Sequence, residues 1–122
     1  MHAPDYSNEI RLGVPTDIVA SLLPPVLTRF KKKYPEVLIT LISDVSHVLR
    51  TELEAGKIDI TIVTESQKGN SDEFLVSDRL VWAGIKDSCL SQQRPLSVAL
   101  GNETCAFRNA TTNALNQHGI PW

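Results

Sequence analysis

The sequence predicts an α/β fold built on a parallel sheet, and three observations carry that expectation. Short apolar runs rich in β-branched residues recur at residues 9–15, 37–43 and 58–64, a helical apolar spacing follows each of the first two, and the joins are only a few residues long. Strands separated by helices in this way belong to parallel sheets, because antiparallel neighbours can be joined by a tight turn and need no helix between them.

Glu9 to Pro15 alternates Ile10, Leu12 and Val14 with polar or small residues, which is the period of a strand. Val19, Leu22, Leu23, Val26, Leu27, Phe30 and Tyr34 then line one face of a helix. Tyr34-Pro35 closes it, since proline disfavours helical backbone in the residue before it. Pro24-Pro25 lies inside the pattern. Prolines lose no hydrogen bond in the first turn of a helix, whereas in mid-helix each costs about 3 kcal/mol. The expectation is a regular helix starting at Ser21 or Leu22, preceded by an irregular turn over Thr16 to Ala20.

Val37 to Ser43 is almost wholly apolar and reads as a strand buried on both faces. A second helix follows, capped by Asp44 or Ser46, with Val48, Leu49 and Leu53 turned inward and Ala55-Gly56 as its stop. Ile58 to Thr64 is the third strand. Glu65 to Asp72 is a polar surface loop. Leu80 to Ile85 and Leu96 to Leu100 read as further strands, and Phe107 to Gln117 as a last helix with Gly119 just past its end. Residues 1–8 are expected to be disordered or cloning-derived, 9–94 to form a first subdomain, and 95–122 to begin a second.

Composition narrows the function classes. The chain has 122 residues and a formal net charge of −2, with Lys31-Lys32-Lys33 its single basic run, which argues against a dense phosphate-gripping face. Those lysines complement the negative end of the first helix. No window approaches the ~20 apolar residues of a membrane span, and the N-terminus has no apolar signal core. Cys89 and Cys105 are too widely spaced for a C-x-x-C pair, and no clustered ligands suggest a metal.

Enzymatic signatures are missing as well: there is no G-x-S-x-G, Walker lysine loop, H-E-x-x-H or G-x-G-x-x-G. His2, His47 and His118 are scattered. Asp44, Ser46 and His47 have triad residue types but share one strand-to-helix turn, where sequence neighbours point apart. Glu52 and Glu54, two apart on a helix, do not face each other. Geometry offers more: ligands of parallel sheets bind beyond the carboxyl ends of the strands, beside helix N-termini. Here those ends are Pro15-Thr16-Asp17, Asp44-Val45-Ser46 and Thr64-Glu65-Ser66, all rich in hydroxyls and carboxylates.

Several segments occur together in a telling order: Ile10-Arg-Leu-Gly13, Leu22-Leu-Pro24, Phe30 through Tyr34-Pro35, Leu53-Glu-Ala-Gly56 and Ile58-Asp59, then Leu80-Val-Trp82, Cys105-Ala-Phe-Arg108 and Gly119 through Trp122. From Ile10 to Trp122 the chain resembles the effector-binding domain of LysR-type transcriptional regulators. The resemblance implies a type II periplasmic-binding-protein-like fold, with one parallel-sheet subdomain and the start of a second. It implies a bacterial, cytoplasmic, non-catalytic sensor that needs no cofactor or metal, pairs as a homodimer, and reaches DNA only through a helix-turn-helix that these 122 residues do not contain.

Carried over by position, the resemblance implies a small-molecule effector in a cleft between the subdomains. Its lining would be Pro15, Thr16 and Asp17 before the first helix, Ser46 after the second strand, Thr64 after the third, and Thr104 with Cys105 across the hinge. A carboxylate at Asp17 repels an anion, so an amine or a polar neutral effector fits better than an acid. Two alternatives stand beside this. A solute-binding protein of the same fold would need an export signal. A redox sensor could use Cys105, since peroxide-sensing members of the family place a reactive cysteine in a similar strand-to-helix segment, here near Arg108; no second cysteine follows it to resolve the oxidised form.

Overall fold

Pairing of the first strand with the two that follow it organises the N-terminal half. In a computed structural model, which describes residues 8–66 and 69–122, the elements are β1 (Glu9–Pro15), α1 (Val19–Lys33), β2 (Leu38–Asp44), α2 (Ser46–Glu54), β3 (Ile60–Thr61), a short 3-10 turn (Leu90–Gln92) and α3 (Ala106–Gln117). Apart from Asn8, the expectation for residues 1–8, His2 included, lies outside the described residues. The chain divides into two compact units between Thr64 and Glu65.

The first unit is a parallel sheet of order β2-β1-β3. Glu9 pairs with Leu38 and the register runs unbroken to Pro15 opposite Asp44, so the strands end level with each other. On the other side, Leu12 pairs with Ile60 and Gly13 with Thr61. Val14 and Pro15 are fully buried, and Leu23, Leu49 and Ile58 are the other buried apolar side chains among the described residues of this unit.

β3 is shorter than the seven residues expected, and proline explains where it stops. Asp59 N–H donates to Arg11 O and Ile62 N–H to Gly13 O, so β3 is paired up to Ile62. The next residue of β1 that would bond on this side is Pro15. It has no N–H to give, and its carbonyl accepts from Ile18 N–H at 3.1 Å as the chain turns toward α1. The ladder therefore ends there.

The start of α1 differs from expectation. The helix begins at Val19, with Leu22 N–H bonded to Ile18 O, and both Pro24 and Pro25 lie inside it. Only Thr16 to Ile18 forms a turn. The missing proline N–H groups would have met the carbonyls of Ala20 and Ser21, which are exposed residues, so water can satisfy those carbonyls. The helical apolar spacing, which buries Leu23, overrides the prolines. At the far end Tyr34 N–H closes on Phe30 O, and Lys31 Nζ donates to Val37 O at 3.1 Å, so this lysine binds the chain that follows the helix.

β2 is an edge strand and is not buried on both faces: Leu38 is 58% and Leu41 42% exposed, while Ile39 and Ile42 are half-buried. Neither Asp44 nor Ser46 caps α2 through its side chain. Leu49 of that helix is fully buried and Val48 half-buried, but Leu53 is 37% exposed and not inward as expected. Gly56 ends α2 with φ of 73°, a left-handed conformation that favours glycine.

In the second unit the expected strands at residues 80–85 and 96–100 do not form. Leu80, Val81, Trp82 and Ile85 are all more than half exposed. Strand propensity needs a neighbouring ladder to act on, and among the described residues none lies against this segment. α3 forms as expected, one residue longer at its start, with Leu115 buried. Gly119, at φ of 61°, follows it, and Ile120 N–H returns to Leu115 O.

Candidate functional site

Because β1 and β2 end in register, the parallel sheet gathers three of the sequence-predicted groups along one edge. Pro15 is the buried last residue of β1, and Thr16 and Asp17 form the exposed turn after it. Thr16 N–H donates to Asp44 O at 3.2 Å, which ties that turn to the end of β2. One residue beyond Val45, Ser46 opens α2, and its Oγ accepts a hydrogen bond from Thr64 N–H at 2.9 Å. Ser46 and Thr64 are thus joined directly, both half-buried.

Two helices present their first turns at this edge. Neither α1 nor α2 has a side-chain cap or an acidic residue in its first turn. The opening N–H groups of a helix have no acceptor within it and carry partial positive charge, so such ends suit polar acceptors. Asp17 precedes the start of α1 and places a carboxylate near that end, in keeping with this preference.

Thr104 and Cys105 belong to the second unit. Thr104 N–H and Oγ1 both bond to Asn102 Oδ1, at 3.1 and 2.8 Å. Cys105 precedes α3 as its N-cap residue, is half-buried, and carries a free thiol, as does exposed Cys89. Arg108 Nη1 donates to Gly101 O at 2.9 Å, so the guanidinium is engaged by backbone.

The triad types at residues 44–47 do not assemble. Asp44 Oδ1 accepts from Val45 N–H at 2.7 Å and Ser46 Oγ is turned to Thr64, while His47 is exposed. Among the described residues there is no group of three or more His, Cys, Asp or Glu placed to hold a metal ion, and no helix is long and apolar enough to cross a membrane.

Sequence reasoning missed the most strongly paired charges. Arg11 donates through Nη2 to Asp59 Oδ1 at 2.9 Å, through Nε to Asp59 Oδ2 at 3.3 Å, and through a second Nη2 contact to Gly56 O at 3.0 Å. Its backbone N–H also reaches Asp59 Oδ2 at 2.8 Å. These side-chain and backbone hydrogen bonds from Arg11 hold the Asp59 carboxyl below the ordinary carboxylate range, and the same contact raises Arg11. The clamp lies toward the amino end of β1, away from the polar edge. Its signal was a charged residue in β1 and another just ahead of β3, which only register could bring together.

Known proteins decide what this arrangement belongs to. The LysR substrate binding domain family matches residues 4–122. The chain belongs to the LysR substrate-binding domain family. Its fold is accordingly the type II periplasmic-binding-protein-like fold, with a three-stranded parallel sheet and three α-helices among the described residues. It is similar to the HTH-type transcriptional regulator DgdR of Burkholderia cepacia, 26% identical over 110 residues that cover 90% of this chain and 37% of the relative. It is also similar to the HTH-type transcriptional regulator PecT of Dickeya dadantii (strain 3937), 25% identical over 118 residues covering 97% of this chain and again 37% of the relative. This LysR-family chain therefore spans little more than a third of the length of these regulators.

Proposed function

We propose that this LysR-family domain senses a small polar molecule and belongs to a transcriptional regulator. The observation that carries the reading is the match of the family to nearly the whole chain. The polar edge where Thr16, Asp17, Ser46 and Thr64 converge beside two uncapped helix starts supports it, as the carboxyl end of a parallel sheet is where such folds take ligands. Thr104 and Cys105 enter through the family resemblance alone.

On this reading the domain is non-catalytic and works in the bacterial cytoplasm as a homodimer. DNA contact falls to a helix-turn-helix outside these 122 residues. Asp17 makes an amine or a polar neutral effector the better fit, because a bound anion would be repelled by its carboxylate. A ligand regulates only by preferring one of two conformations, so its contacts must differ between them.

Thermal-shift screening against polar and amine-bearing metabolites tests the assignment. A ligand at 100 times its Kd stabilises by about 2.7 kcal/mol. The expected result is a hit whose effect disappears in Thr16→Ala or Ser46→Ala. Hits that survive both substitutions would show that the site lies elsewhere, and a response to peroxide lost in Cys105→Ser would favour redox sensing.

A further inference from the structure

β3 is the shortest strand of the sheet, yet the chain that follows it brings Thr64 to the polar edge. Side chains and backbone groups alternate along a strand, so a slip of one residue would turn every group of β3 to the opposite side. Thr64 N–H would then leave Ser46 Oγ, its acceptor at 2.9 Å. So short a strand needs anchors that fix its register. One is Ile58, buried in the core. The other is the Arg11 side chain.

Arg11 spans the connection that leads into β3. Its Nη2 donates both to Gly56 O, just past α2, and to Asp59 Oδ1, while Nε and the backbone N–H donate to Asp59 Oδ2. Asp59 N–H donates to Arg11 O in return, at 2.9 Å. The planar guanidinium makes this possible, because its donors diverge in fixed directions and can hold a carboxylate and a carbonyl at once. We propose that Arg11 is a positioning residue for Ser46 and Thr64: by bracing the end of α2 and the start of β3 on β1, it sets where the other ends of those two elements meet.

α2 runs from Ser46 at the polar edge toward Gly56, and β3 leads back toward Thr64. The pair is therefore tied at one end by Arg11 and at the other by the bond from Thr64 N–H to Ser46 Oγ. Between the two ties Gly13 lets the elements lie close, since a Cβ there would meet Leu49 of α2 as well as Ile58 and Thr61. Arg11 acts on the edge through Gly56 and Asp59. That Ser46 and Thr64 meet an effector rests on the reading above; the brace does not.

The test uses the full chain without added ligand, as wild type, Arg11→Met, Arg11→Lys and Asp59→Asn, with amide hydrogen exchange read by NMR. Arg11→Met is expected to speed exchange at Thr64 by about five- to tenfold, the effect of one lost hydrogen bond, with Leu12 and Ile42 in the β1–β2 ladder unchanged. Asp59→Asn should do the same. Arg11→Lys keeps the charge but not the fork, and should behave as Arg11→Met does. Unchanged exchange at Thr64 in Arg11→Met and Asp59→Asn overturns the proposal. So does an equal rise at Leu12 and Ile42 in every variant, which marks a general loss of stability. Faster exchange at Thr64 together with ligand hits that survive Ser46→Ala would keep the brace and remove the effector reading. Unchanged exchange with hits lost in Ser46→Ala would do the opposite.

Discussion

Gly13 sits at the point where the sheet has no room for a side chain. A Cβ built there would lie 2.5 Å from Thr61 Oγ1, 2.8 Å from Ile58 Cδ1 and 3.1 Å from Leu49 Cδ2. Leu49 and Ile58 are core residues, and Thr61 Oγ1 donates to Gly13 O at 3.1 Å. Gly13→Ala must therefore push apart β1, β3 and α2 or turn the Thr61 hydroxyl away from its acceptor. Overpacking of this kind costs about 1 to 3 kcal/mol. Loss of glycine's freedom in the unfolded chain returns roughly 0.4 to 1 kcal/mol, which leaves a net destabilisation of about 1 to 2 kcal/mol. Urea unfolding followed by far-UV circular dichroism, with amide exchange in the β1–β2 ladder as a probe of the first unit, measures it. The midpoint should fall at constant slope. Thr61→Ala removes the nearest clash, so the cost of Gly13→Ala should shrink in that background. Gly84, whose Cβ would meet nothing within 4 Å, is the control. If Gly13→Ala costs no more than Gly84→Ala, the packing account of this strand is wrong.

Three further outcomes follow from the same geometry. Asp59 is held below its ordinary carboxylate range by Arg11, so its contribution to stability is complete above that range and is lost as pH falls through the lowered value; wild type should lose urea resistance more steeply than Asp59→Asn below about pH 4, and parallel curves would refute the clamp. Pro24→Ala with Pro25→Ala restores two helical N–H donors to exposed carbonyls and removes ring clashes, and should raise helicity and stability by at least about 1 kcal/mol; a loss would mean that the prolines hold a kink the core requires. Trypsin should cut first at Arg79 or Lys86, in the exposed segment without regular structure, and only later at Arg29 in α1; first cleavage at Arg29, followed by mass spectrometry, would contradict that order.

Local pattern was enough for what depends on neighbours in sequence. Alternation placed β1 at its observed bounds, apolar spacing placed α1 and α3, and glycine marked the helix stops at Gly56 and Gly119. Hydroxyl-bearing residues at the strand ends were legible for the same reason, since a parallel sheet sets its carboxyl ends side by side. What those residues touch was not. Ser46 read as a helix cap, yet its partner is Thr64, eighteen positions away.

Tertiary structure decided the rest, because the deciding groups come from distant parts of the chain. Apolar composition said that residues 37–43 form a strand buried on both faces, but position at the sheet edge made Leu38 and Leu41 exposed. The prolines of α1 argued locally for a late start, and a helix face that buries Leu23 outweighed them. β-branched residues at 80–85 favoured a strand, and without a neighbouring ladder they form none. Sequence by itself determined the order of elements in the first unit and the family to which the chain belongs. Register alone brought Arg11 to Asp59 and ended β3 at Pro15, leaving Thr64 N–H for the Ser46 hydroxyl.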